Sequence, residues 1–129
     1  MHLKGTIKKM NLQARINSFI SLGKILAEGS APGLMEAKEN ATIQNPWFIP
    51  KFIDESIQQI TQQFLQQNAL EAWTALYPSI SECPTGKKVG IVMAGNIPLV
   101  GFHDLLSTLI AGHHAVVKLS SKDSILMTW

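Results

Sequence analysis

One stretch constrains the fold more than any other, Lys87 to Ser121: KKVGIVMAGNIPLVGFHDLLSTLIAGHHAVVKLSS. Val89 to Ala94 is a continuous apolar run of strand length, rich in β-branched residues and flanked by turn residues, which is how a strand buried on both faces reads. After Gly95-Asn96-Ile97-Pro98, the residues Leu99, Phe102, Leu105, Leu106, Leu109 and Ile110 recur at helical spacing up to a stop at Gly112. Pro98 would pre-set the first helical turn. Ala115 to Val117 forms a second short apolar run. The order strand, helix, strand predicts a parallel pair joined by a right-handed crossover, and hence an α/β fold.

Upstream the periodicity is helical. From about Ile7 to Glu28, Leu12, Ile16, Phe19, Gly23 and Leu26 fall on one stripe, with Lys8, Lys9, Arg15 and Lys24 mainly away from it and Gly29 as a left-handed stop. Ser30 to Ile49 reads as an irregular connector pinned by Trp47 and Phe48. Pro50 suits the first position of a second helix, whose face is Ile53, Ile57, Ile60 and Phe64 and whose glutamines form a solvated side. Asn68 and Glu71 predict the cap of a third helix carrying Leu70, Trp73 and Leu76, closed by Pro78. A last helix begins in SSKDSILMTW with Ser120 or Ser121 as cap. The expected organisation is a helical segment, 1–86, packing on the start of an α/β unit, 87–129.

Composition excludes some functions. Of 129 residues, 46% are hydrophobic and 16% charged, which is globular rather than disordered. A net charge of +2, with scattered lysines, gives no concentrated positive surface for nucleic acid or an anionic membrane. The N-terminus has no apolar core of a secretory signal. The apolar uncharged run Val89 to Phe102 falls short of the ~20 residues a membrane helix needs. A soluble, cytoplasmic protein is expected. The lone cysteine, Cys83, allows no internal disulfide and lies in a connector without a group to activate its thiol.

In open α/β sheets ligands gather beyond the carboxyl ends of the strands. Gly95 would admit a ligand close to the backbone, and Asn96 sets a side-chain amide at the mouth of the first strand. By residue type alone Asn96 is equally a turn residue, and Lys118 a strand-end lysine reaching solvent. The stretch is neither a G-x-G-x-x-G fingerprint nor a P-loop. His103 and Asp104 are helix neighbours pointing different ways and His113-His114 lies at a turn, so no metal site is expected.

The stretch VGIVMAGNIPLVGFHDLLSTLIAGHHAVVKLSSKD resembles the nucleotide-binding segment of the aldehyde dehydrogenase superfamily. It is most similar to the acyl-CoA reductase branch that includes the fatty-acid reductase of bacterial bioluminescence. NPWFIP and LEAWTALYP resemble its upstream part, so the similarity covers about Asn45 to Asp123. The resemblance implies the first strand-helix-strand unit of a Rossmann-type nucleotide-binding domain. It gives Asn96 the role of the asparagine that stabilises the oxyanion of the thiohemiacetal, where one preorganised donor is worth ~3 kcal/mol. Lys118 matches the lysine that contacts the cofactor's adenosine ribose, with Gly95, Ser120 and Ser121 beside the same cofactor. Ser121 stands where many dehydrogenases carry a glutamate that repels a 2′-phosphate, which with Lys122 favours NADP(H) over NAD(H).

In that family the nucleophilic cysteine lies in a separate catalytic domain further along, and Cys83 matches no nucleophile motif. The expectation is therefore the N-terminal part of an enzyme reducing an acyl-CoA or acyl thioester to an aldehyde with NADPH, through a cysteine-bound acyl group. This chain alone would be inactive. Acyl length and oligomeric state stay open. The other reading is a non-enzymatic helical interaction module, with the glutamine-rich helix as contact face.

Overall fold

The computed structural model describes residues 10–82 and 86–129. Cys83 and the expected first turn of the N-terminal helix, Ile7 to Lys9, lie outside them. The chain is mixed α/β, with helices packed against one face of a two-stranded parallel sheet.

Helix α1 is Leu12–Glu28, and the Asn11 side chain accepts the Ala14 N–H at 2.8 Å as its N-cap. It ends at Gly29 with φ 68°, and Gly112, with φ 83°, follows the later helix Phe102–Ile110 in the same left-handed way. The expected stripe is the packed one: Ile16 and Gly23 are buried, and Leu12, Phe19 and Leu26 pack beside them. Arg15 departs from expectation. It is half-buried, and its guanidinium donates to the carbonyls of Ile110 (2.9 Å), Met10 (2.7 Å) and Ile80 (3.4 Å). A cation over the end of a helix satisfies carbonyls that have no partner within it.

The connector from Ser30 to Ile49 is not irregular, because α2 occupies Leu34–Gln44. Its buried side, Leu34, Ala37 and Ala41, is mostly alanine and so gives little hydrophobic signal. Phe48 is buried as expected, whereas Trp47 is 84% exposed. Helix α3, Pro50–Gln59, starts at its proline and runs into a π-turn at Ile60–Phe64. The extra residue per turn stacks Leu65, whose N–H donates to the Ile60 carbonyl, over Ile60, and both are buried. Helix α4 is Gln67–Ala75 with Gln66, not Asn68, at the N-cap, and Leu76 is exposed. A short 3₁₀ turn follows at Pro78–Glu82.

Strands β1, Lys88–Val92, and β2, His114–Lys118, pair in parallel with Lys88 opposite His114 and Val92 opposite Lys118. Helix α5, Phe102–Ile110, connects them, and α6, Ser124–Thr128, follows β2. Here the burial expectation fails. Ile91 and Met93 are buried, but among the described residues the other face is open, with Val92 79% and Val116 57% exposed. An apolar run shows that both faces of a strand suit burial, not that both are covered.

Two cores hold the layers together. Ile16, Ile60, Leu65 and Leu70 meet Phe102, Leu106 and Ile110 of α5 in one. Leu34, Ala41, Phe48, Ile53 and Ile57 meet Leu126 of α6 in the other. Leu26 and Leu99 pack against both, so the helical segment and the strand-helix-strand unit share their interior. Each of the largest buried chains, such as Ile53 or Leu106, contributes about 1.5–3 kcal/mol by leaving water. Among the described residues no helix is long and apolar enough to cross a membrane.

Candidate functional site

The backbone after β1 does not enter α5 at Pro98 as the sequence predicts. Met93 to Gly101 forms a loop in which Leu99 takes φ 60°, a left-handed conformation costing a leucine about 1–2 kcal/mol. That residue blocks helix continuation, so α5 begins three residues later. The loop turns Asn96 and Ile97 outward, and both are exposed.

Asn96, Ile97 and Pro98 form one wall of an open cleft of about 490 Å³. The other wall is Trp47, from the turn before α3, and Phe52, Glu55, Ser56 and Gln59 along α3. The Asn96 carboxamide makes no side-chain hydrogen bond to any described residue. A free amide donor beside aromatic and aliphatic walls can bind a polarised carbonyl oxygen while an apolar tail lies against the rings.

Gly95 is buried, and the close approach it permits is made within the chain. A Cβ there would collide with the Ser120 hydroxyl and sit 3.0 Å from the Lys122 Cβ. Ser120 also accepts the Lys122 N–H through its Oγ at 3.2 Å. Lys118 ends β2 with its side chain exposed, on the open face it shares with Val92. Its carbonyl accepts the Met93 N–H at 3.0 Å, which ties the two strand ends. Ser121 and Lys122 are exposed on the loop after it. The structure thus gathers Gly95, Asn96, Lys118, Ser120 and Ser121 at one end of the sheet.

Two buried polar side chains there were not among the expected site residues. Asp123, 2% exposed, accepts the Leu99 N–H at 2.6 Å through Oδ2, and its Oδ1 is buried without a partner. Burial raises the pKa of this carboxyl above its usual 3.8, against the opposing pull of the Leu99 N–H. Asp123, not Ser120 or Ser121, occupies the N-cap position of α6. Asn45 accepts the Trp47 N–H at 3.1 Å and donates through Nδ2 to the Lys122 carbonyl at 3.2 Å. Local signals existed for both: an Asp immediately before an apolar helix and an Asn-Pro pair.

His103 lies against rings rather than a ligand, 5.1 Å from Phe64 and 6.2 Å from Trp73 between centroids. Among the described residues no group of three or more His, Cys, Asp or Glu is placed to hold a metal ion. Comparison with family models, with curated proteins and with solved structures finds no match to this chain.

Proposed function

We propose that this chain is the acyl-thioester- and adenosine-binding portion of an acyl-CoA reductase of the aldehyde dehydrogenase superfamily. The reading joins the resemblance of Asn45 to Asp123 to the arrangement at the strand ends. The observation that carries it is the unengaged Asn96 amide at the rim of a cleft walled by Trp47, Phe52 and Ile97. An acyl thioester needs both features, a donor for the carbonyl oxygen and an apolar surface for the chain.

In this reading Asn96 donates to the oxygen as it gains negative charge, and the acyl chain lies against Trp47, Phe52 and Ile97. Lys118 holds the adenosine ribose, with Ser120, Ser121 and Lys122 around a 2′-phosphate, while Gly95 lets the loop that carries them seat against the end of β1. NADPH supplies the hydride when bound. The nucleophilic cysteine belongs to a further part of the enzyme.

In the complete enzyme, Asn96→Ala should lower kcat by about 100-fold or more with NADPH affinity little changed. Lys118→Ala should do the reverse, raising the NADPH dissociation constant with kcat largely kept. The opposite pattern overturns both roles. A chain that is folded, monomeric and blind to NADPH by calorimetry, with a stop codon directly after Trp129, would return the reading to a helical interaction module.

A further inference from the structure

The two walls of the cleft come from distant parts of the chain, yet both are fastened to one short loop, Ser120 to Asp123. We infer that Asn45 and Asp123 are positioning residues that together set the geometry of the cleft. Neither lines it. Asn45 joins the Trp47 backbone to the Lys122 carbonyl, and Asp123, the next residue of the same loop, accepts the N–H of Leu99, three residues past Asn96.

Three features make these more than local packing. Asp123 stands at the N-cap position of α6, but its side chain makes no bond to that helix and bonds instead to a loop 24 residues away. The conformation it holds at Leu99 is uphill for a leucine, so the Asn96 turn does not hold itself. The loop that carries both bonds is braced from within, by the Asp123 N–H on the Ser120 carbonyl (3.1 Å) and the Lys122 N–H on Ser120 Oγ, and it seats against Gly95. A catalytic donor has to be held this closely to act.

That Asn96 meets an acyl thioester rests on the function proposed above; the positioning itself does not. The test uses the 129-residue chain. Its ¹H–¹⁵N spectra report the Leu99 amide, the Asn96 side-chain amide and the Trp47 indole, and S-hexanoyl-N-acetylcysteamine, a small acyl thioester, is titrated in. Asp123→Ala should shift the Leu99 and Asn96 signals and spare Trp47, and Asn45→Ala should shift Trp47 and spare Asn96. Each should weaken the probe about tenfold, whereas Asp123→Asn, whose amide oxygen can still accept from Leu99, should stay within about threefold of the unsubstituted chain. Ile16→Val, a core change away from the cleft, should leave affinity unaltered.

Unmoved Asn96 and Trp47 signals in the two alanine variants overturn the inference, as does an equal affinity loss in Ile16→Val. If Asp123→Ala does not fold, Asn45→Ala and Asp123→Asn decide by the same signals. If the unsubstituted chain binds no probe, the acyl-thioester reading falls while the spectra still decide the positioning.

Discussion

The loops that follow the two strands do opposite things. The one after β1 is a display: Asn96, Ile97 and Val100 are exposed, and its backbone contains a leucine with φ 60°. The one after β2 is an anchor, ending in an aspartate 2% exposed whose carboxylate reaches across to the first loop. A strand end that binds a ligand needs one segment free to meet it and another to keep that segment in place. Leu99 packs inward, but the exposed side chains of Asn96 and Ile97 face water and cannot fix the turn that carries them, so part of the constraint comes from a neighbour with buried polar groups.

The contrast is broken most forcefully at the contact between the loops. Gly95→Val should drive a branched side chain into Ser120 and Lys122 and lower unfolding stability by about 1–3 kcal/mol, read from urea midpoints. An unchanged midpoint would mean that the loops do not rest on each other. A smaller effect is expected from pH. The folded-state pKa of Asp123 is raised by burial, so its favourable contribution is fully present below the unfolded value of 3.8 and is lost as pH rises through the folded value. The stability of Asp123→Asn relative to the parent chain should therefore increase with pH across that interval and be level outside it. A difference that falls with pH would show that the Leu99 N–H, not burial, dominates. The smallest effect should come from the open sheet face, where Val92→Thr is expected to change stability by less than about 0.5 kcal/mol. A larger loss would mean that the face is covered.

Much of the frame was legible in the residues themselves. The apolar run at Val89, the helical spacing after Leu99 and the glycine stop at Gly112 are local patterns, and local patterns specify strand and helix. The same is true of the α1 stripe and of Pro50. Helix α2 was hidden because two of its three buried residues are alanines, too small to raise a periodic signal above its polar neighbours. Asn96 stood out by its place at the mouth of the first strand and Lys118 by the family resemblance, and the structure places both at one end of the sheet.

By itself the sequence determined which segments coil, which extend, and which polar residues stand at the strand ends. Tertiary structure alone decided that Trp47 faces Asn96 across a cleft, that Arg15 caps a helix 95 residues away and that Asp123 serves Leu99 rather than its own helix. The reason is range. Periodicity follows from bonds between neighbours along the chain, whereas these contacts join groups whose meeting depends on how the layers pack, and no local pattern encodes that meeting.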